Sequence, residues 1–164
     1  MDFSTSDIHD AHAQEVSVCD IQFRGFGRWT RFAGPCATVR TFEDHRPVRE
    51  ALEQPGEGRV LVVDGGGSLR FALLGDRMAE MAIRNGWAGA VLYAAIRDSE
   101  AIDALSFGVK AVGTTARRPA AALGGVLNTP VTFGGATFCP GNWIYADADA
   151  ILVAARCLHD PTAR

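Results

Sequence analysis

The chain has 164 residues, of which 48% are hydrophobic and 21% are charged. This length and composition are typical of one globular domain, which we place at residues 1–164, and exclude a disordered chain. The net charge of −3 argues against direct binding of nucleic acid, which needs a basic surface. Without a run of about 18 apolar residues or a basic, apolar leader, the sequence predicts a cytoplasmic protein with no membrane contact.

The first half of the chain alternates between helical and extended patterns. Residues 4–15 are expected to form a short helix, and residues 35–42 alternate like a strand. A second helix is predicted within residues 45–58, with Pro47 in its first turn. Residues 59–67 form an apolar run stopped by three glycines, which is typical of a strand buried on both faces.

The middle of the chain predicts a parallel βαβ unit. A helix is expected over 73–89 because its apolar residues recur at helical spacing, and the buried strand 90–96 follows. A strand, a helix and a second strand of this length place the two strands parallel in one sheet. A short helix at about 99–105 and a strand at 109–115 continue the pattern.

From Val126 onward the chain is expected to form short strands joined by glycine turns. Near the end, Tyr145, Asp147 and Asp149 lie in the stretch YADADA, which we interpret as a solvated turn. The predicted class is therefore α/β, with a parallel βαβ core and a β-rich C-terminal half.

The cysteines and histidines form no metal-binding or nucleophilic pattern. In a cytosolic protein, cysteines without such spacing are expected to be small, reduced, buried residues; they are Cys19, Cys36, Cys139 and Cys157. The histidines fall in predicted surface or terminal segments and are assigned no catalytic role; they are His9, His12, His45 and His159.

The glycine-rich stretch DGGGS, residues 64–68, invites comparison with phosphate-binding loops. It lacks the GxGxxG spacing and has no Walker lysine, so nucleotide binding is not predicted. It is an equally poor loop for S-adenosylmethionine. Asp64 is interpreted mainly as the cap of this turn.

Two predicted loops at strand ends carry residues suited to binding a small acid. Ligands of parallel α/β sheets bind outside the carboxyl ends of the strands. The backbone N–H groups of Gly75-Asp76-Arg77-Met78, at the start of a helix, can hold a carboxylate, and the adjacent Arg97-Asp98 ends the next strand. Neighbours on a strand point to opposite faces, so the pair is expected to serve different ligand atoms rather than each other.

The residue types suggest roles in this cleft. The guanidinium of Arg97 can hold an oxyanion, and Asp98 can ligate Mg²⁺ or Mn²⁺, with Asp76 holding one of the metal's waters. Together they suit a small 2-oxo acid whose enolate Arg97 and the metal stabilise. An Arg-Asp pair at a strand end is also a common structural feature, and that alternative stays open.

The stretch "GRVLVVDGGGSLRFALLGDRMAEMAIRNGWAGAVLYAAIRD", followed by "VTFGGATFCPGNWIYADADAILVA", resembles the RraA-like family from about Thr5 to Ala154. That family contains 4-hydroxy-4-methyl-2-oxoglutarate aldolases and RraA regulators of RNase E. The resemblance implies a swivelling β/β/α domain, similar to phosphohistidine domains, that assembles into trimers or pairs of trimers.

For the aldolase branch, the resemblance implies catalytic Arg97 and Asp76, metal-binding Asp98, and substrate contacts from Gly75, Asp76, Arg77, Met78 and Arg97. The implied reaction is metal-dependent cleavage of 4-hydroxy-4-methyl-2-oxoglutarate into two pyruvates, with decarboxylation of oxaloacetate beside it. Both pass through a pyruvate enolate without a Schiff-base lysine. The single lysine, Lys110, is expected to lie outside the cleft.

The resemblance leaves some points open. The family's later acidic residue corresponds to Asp103 or Glu100, and Ala94 stands where relatives have glycine, so its methyl group is expected to crowd the cleft. Asn128 replaces an acidic residue, and the C-terminal extension of longer aldolases is absent. The regulators lack a carboxylate after the arginine, so Asp98 favours a lyase, with an RNase E-binding regulator as the alternative.

Overall fold

The computed structural model describes residues 3–159, which fold into a nine-stranded sheet, a two-stranded hairpin and four short helices. The helices are α1 (Thr5–His12), α2 (Arg46–Glu53), α3 (Asp76–Arg84) and α4 (Ser99–Asp103). The strands are β1 (Val16–Val18), β2 (Arg24–Phe26), β3 (Phe32–Thr41), β4 (Val60–Asp64), β5 (Gly89–Ile96), β6 (Val109–Thr114), β7 (Gly125–Leu127), β8 (Val131–Phe133), β9 (Ala136–Phe138), β10 (Trp143–Ala146) and β11 (Ile151–Ala154).

The large sheet has the strand order β1-β11-β10-β3-β4-β5-β6-β2, and β7 pairs with β3 beside this path. The four central strands, from β3 to β6, are parallel; β10 pairs antiparallel with β3, and β11 pairs antiparallel with β10. The predicted α/β class, with a parallel core and a β-rich C-terminal half, is confirmed.

The central strands are buried on both faces because each face is covered by a different layer. The helices α2 and α3 pack on one face of the sheet, around side chains such as Leu61 and Leu92. On the other face the β8–β9 hairpin contributes Phe133 and Phe138, whose rings stack 4.6 Å apart. Burial of these apolar side chains is the main force that holds the layers together.

The helix predicted over 73–89 begins later, at Asp76, and ends at Arg84. Leu73 and Leu74 are nearly fully buried, but they belong to an extended segment before the helix. Their helical spacing was coincidental, because any buried segment requires apolar residues. The short edge strands β1 and β2 escaped prediction, since three residues are too few to establish a period.

The interpretation of YADADA as a solvated turn was wrong for two of its residues. Tyr145 and Asp147 are buried, and the Asp147 carboxylate accepts hydrogen bonds of 2.7 Å from both the backbone N–H and the hydroxyl of Thr5. It also accepts from the backbone N–H groups of Asp149 and Ala150. Asp147 therefore attaches α1 to the C-terminal strands, a long-range role that local sequence cannot reveal.

Two smaller predictions are settled in the described residues. All four cysteines are free thiols, but only Cys19 and Cys36 are buried, while Cys139 and Cys157 are half-buried. No helix within residues 3–159 has the length and hydrophobicity needed to cross a membrane.

Candidate functional site

The candidate site lies where β4 and β5 end, because the chain after β4 returns along the end of β5. Leu73 donates its N–H to the carbonyl of Ala95 at 2.9 Å, and Arg97 donates its own to the carbonyl of Leu74 at 3.0 Å. These bonds bring Gly75 against the side chains that follow β5. A methyl group on Gly75 would lie only 2.8 Å from Asp98 Oδ2.

Asp98 has an uncommon backbone conformation, with φ of 57° in the left-handed region. It precedes α4, yet its carboxylate makes no capping hydrogen bond to that helix. A residue held in a sparsely populated conformation without a local structural role is a candidate for function. About a third of the side chain is exposed, so a ligand can reach it.

The expectation that the side chains of Arg97 and Asp98 do not interact with each other was wrong. Arg97 Nε donates to Asp98 Oδ2 at 3.2 Å. The alternation of strand neighbours ends at Ile96, and the left-handed turn at Asp98 swings its carboxylate back towards the guanidinium. Arg97 has 38% of its side chain exposed, and both groups line the same cavity.

The start of α3 supplies backbone N–H groups beside this pair. Its first hydrogen bond runs from Ala79 N–H to the carbonyl of Gly75, so the earlier N–H groups have no partner within the helix. One of them is occupied, because Arg77 donates its N–H to Asp76 Oδ1 at 2.7 Å. The helix end can therefore hold an anion, with fewer donors than the sequence suggested.

All the predicted site residues line one cavity of about 630 Å³. The structure thus brings together Gly75, Asp76, Arg77, Met78, Arg97 and Asp98, whose individual roles stay predictions. The other lining residues are His45, Arg49, Ala72, Leu73, Leu74, Met81, Arg84 and Arg118.

Sequence reasoning missed the basic residues on the far side of the cavity. His45 was assigned to the surface, but it is half-buried and lines the cavity together with Arg49 and Arg118. His45 and Arg49 are four residues apart at the start of α2, on one helical face. That spacing was visible in the sequence, but only the fold places α2 opposite the end of β5.

Several other candidates lie elsewhere. Asp103 accepts a 2.8 Å hydrogen bond from the N–H of Gly27, and neither Asp103 nor Glu100 lines the cavity. Lys110 also lies outside it, as predicted. Ala94 does not crowd the cleft, since it is buried with its methyl group facing Gly65. The structure gives the later acidic residues no place in this site.

Within the described residues, no group of three histidine, cysteine or acidic side chains could enclose a metal ion. Asp98 has an exposed carboxylate that makes no capping hydrogen bond to α4, and Asp76 lines the same cavity. Mg²⁺ commonly binds through one or two carboxylates and completes its shell with water and substrate oxygens. The residues therefore fit a cation of the Mg²⁺ or Mn²⁺ type, and not a closed zinc centre.

In the glycine-rich loop after β4, the backbone N–H groups of the three glycines donate to acceptors within the protein. Gly65 and Gly67 both donate to the carbonyl of Tyr93, at 3.1 and 2.9 Å. Gly66 donates to Asp64 Oδ1 at 3.0 Å, so Asp64 caps the turn as expected. A loop without free N–H groups is poorly suited to hold a phosphate.

Comparison with known proteins finds relatives that match nearly the whole chain. The family model described as "RraA-like: Aldolase/RraA" matches residues 5–153. A protein of Laribacter hongkongensis, named "Putative 4-hydroxy-4-methyl-2-oxoglutarate aldolase", is 48% identical over 94% of this chain and 97% of its own length. A relative with the same name from Alkalilimnicola ehrlichii is 48% identical over 96% of this chain and 98% of its own.

Solved structures share the fold under other names. The RNA-processing inhibitor RraA from Thermus thermophilis is 37% identical, with a TM-score of 0.92 and 99% of each chain covered. A Geobacillus kaustophilus protein, described as an S-adenosylmethionine: 2-dimethylmenaquinone methyltransferase, is 44% identical, with a TM-score of 0.93 and coverage of 95% of this chain and 97% of its own. The extent of these matches, and of the family model in particular, shows that the chain belongs to the RraA-like family.

Proposed function

We propose that the protein is a divalent-metal-dependent lyase that cleaves 4-hydroxy-4-methyl-2-oxoglutarate into two molecules of pyruvate and also decarboxylates oxaloacetate. The observation that carries the proposal is the meeting of Arg97, Asp98 and the start of α3 in one cavity. The name carried by relatives at 48% identity supports the same reaction class.

The residues divide the substrate between them. The N–H groups around Gly75 and Met78 hold the carboxylate next to the 2-oxo group, since a helix N-terminus favours an anion. Arg97 faces the 2-oxo oxygen. Asp98 holds Mg²⁺ or Mn²⁺, which when bound supplies Lewis-acid stabilisation of negative charge.

In both reactions the bond to C3 of the pyruvate fragment breaks, and its electron pair is left on that fragment as an enolate, which becomes pyruvate when C3 takes up a proton from water. Negative charge therefore grows on the oxygen that Arg97 faces. A positioned guanidinium that meets this charge lowers the barrier without having to reorganise. Cleavage of the aldol bond also needs a base for the substrate hydroxyl, and Asp76, whose Oδ1 accepts from Arg77, is our candidate within the cavity, acting through water.

A Schiff-base route has no amine in the right place. Lys110 is the only lysine in the chain, and it is buried on β6, away from the cavity lining. Burial lowers the pKa of Lys110, although the charges of Asp147 and Asp149 act against this shift.

The direct test is release of pyruvate from oxaloacetate and from 4-hydroxy-4-methyl-2-oxoglutarate by the purified protein. We expect turnover with added Mg²⁺ or Mn²⁺ and its loss on chelation with EDTA. Turnover that survives complete removal of metal would contradict the proposal.

We also propose that the chain forms trimers or pairs of trimers, as the family resemblance implies; sedimentation equilibrium tests this assembly.

A second function, binding and inhibition of RNase E, is supported by the similarity to RraA from Thermus thermophilis. A pull-down with purified RNase E tests it, and no binding at micromolar concentrations would remove it. The exposed Asp98 carboxylate favours the lyase.

A further inference from the structure

The far side of the cavity is more basic than binding of one carboxylate requires. Five arginines and two aspartates line the cavity, although the whole chain carries a net charge of −3. Arg97, Asp98 and the start of α3 form what we call the inner end of the cavity. His45, Arg49 and Arg118 come from α2 and from the loop after β6, and they form what we call the outer basic group.

The arginines of the cavity differ in how far acidic neighbours neutralise them. Arg49 Nε lies 2.8 Å from Glu53 Oε1, and Arg84 lies 3.9 Å from a carboxylate oxygen of Glu80. Arg118 has no carboxylate partner within residues 3–159. Its exposed charge is therefore available to an anion in the cavity.

His45 adds a hydrogen-bond donor to this charge. Its Nδ1 is buried without a hydrogen-bond partner, and the half-buried side chain lines the cavity. Burial, and then the charge of Arg118, lower the pKa of His45, which keeps the ring neutral near pH 7. We assign the proton to Nε2, which leaves the buried Nδ1 as an acceptor.

Asp44, which is almost fully buried, joins the two chain segments that carry the outer basic group. Its Oδ2 accepts the N–H groups of Leu123 and Gly124 at 2.8 and 2.9 Å, and its Oδ1 accepts from Arg46 at 3.0 Å. One carboxylate thus joins the start of α2 to the loop that carries Arg118. Fixing the two backbone segments relative to each other reduces the entropy that an anion bound between them would cost.

We propose that His45 and Arg118 form a second anion-binding subsite, which selects 2-oxo acids with a second carboxylate at the far end of the molecule. This inference rests on the proposed function, because the inner end of the cavity must hold the 2-oxo acid group. Arg118 pairs with the distal carboxylate and His45 Nε2–H donates to it, while Arg49 adds positive potential. A monocarboxylate of equal length fills the inner end and leaves the subsite without a ligand.

The test compares binding of 2-oxoglutarate and 2-oxopentanoate, which differ only in the distal carboxylate, by isothermal titration calorimetry with Mg²⁺ present. We expect the wild-type protein to bind 2-oxoglutarate at least about tenfold more tightly. Arg118→Gln and His45→Gln should each reduce this preference while 2-oxopentanoate still binds. Arg117→Gln is the matched control, because its exposed side chain belongs to the same loop but not to the cavity.

Equal affinity of the wild-type protein for the two acids would overturn the subsite and leave the proposed function intact. So would an undiminished preference in Arg118→Gln. Failure of both acids to bind would overturn the proposed function, and the subsite with it. Circular dichroism of each variant confirms that a lost preference does not come from unfolding.

Discussion

The loops that follow β4 and β5 lie side by side and differ in what they leave available. In the glycine-rich loop, Gly65, Gly66 and Gly67 have donated their N–H groups to a carbonyl or to Asp64. In the loop after β5, the Asp98 carboxylate makes no capping hydrogen bond to α4, and within residues 3–159 its hydrogen-bond donor is the neighbouring guanidinium in the same cavity. A conspicuous sequence motif can thus be structural, while an ordinary Arg-Asp pair keeps its chemical groups accessible to a ligand.

The largest expected effect comes from removing the free carboxylate. Asp98→Asn keeps the size of the side chain but removes the charge that would hold the metal. We expect turnover of oxaloacetate to fall by about 10³-fold, the scale of a lost electrostatic stabiliser. Glu100→Gln is the control, since Glu100 is acidic, close in sequence and outside the cavity. Equal losses in both variants would remove the distinction between the two carboxylates.

Arg97→Lys tests whether a positive charge alone is enough. Lysine keeps the charge but cannot reproduce the planar fork of the guanidinium. We expect kcat for oxaloacetate to fall by about 10²-fold with little change in KM, because the contact strengthens as the enolate charge develops. A change confined to KM would instead assign Arg97 to substrate binding alone.

Asp147 differs from Asp98 because its carboxylate is buried and accepts hydrogen bonds from within the protein. Burial alone would raise the pKa of Asp147, but hydrogen bonds from Thr5, Asp149 and Ala150 outweigh it and hold the pKa below the usual value. A lowered pKa in the folded state adds stability above the ordinary value of about 3.9, and this stability is lost as pH falls through the folded pKa.

Asp147→Asn should therefore lower the free energy of unfolding at pH 7 by about 2 kcal/mol. It should also make stability fall less steeply below about pH 4 than in the wild-type protein. Urea unfolding at several pH values measures both effects. Asp149→Asn, an exposed neighbour, is the control, and an equal flattening there would show that Asp147 is not the titrating group.

The smallest effects separate two glycines. Gly75→Ala places a methyl group 2.8 Å from Asp98 Oδ2, so it should reduce turnover by about tenfold through weaker metal binding. Gly67 has φ of 70° and packs on the Tyr93 ring, so Gly67→Ala should cost about 1–2 kcal/mol of stability. Thermal unfolding and turnover, measured on both variants, should give opposite rankings. Loss of turnover in a folded Gly67→Ala protein would contradict the structural role of this loop.

Local patterns in the sequence carried much of the fold and the inner end of the site. The apolar runs ending at Asp64 and Ile96 predicted two neighbouring parallel strands, and the polar pair that follows the second run pointed to Arg97 and Asp98. Both predictions depend on residues that are close together in the chain. The sequence also placed Gly75 near them, because parallel strands end at the same edge.

The remainder depended on contacts between distant residues. Asp147 reads as a turn residue until Thr5, 142 positions away, is seen to donate to it. His45 and Arg118 are distant in the chain but line the same cavity, and Asp44 joins their two segments. The ion pair of Arg97 with Asp98 depends on the left-handed backbone conformation of Asp98. Aspartate adopts this conformation too seldom for the sequence alone to indicate it.

Mn²⁺ binding, followed by electron paramagnetic resonance, tests the central claim most directly, because it reports the cation without requiring turnover. In the presence of pyruvate, we expect the wild-type chain to bind one Mn²⁺ and Asp98→Asn to bind it at least about a hundredfold more weakly. Asp103→Asn should bind like the wild-type protein. Equal Mn²⁺ affinity in wild-type and Asp98→Asn chains would contradict the account.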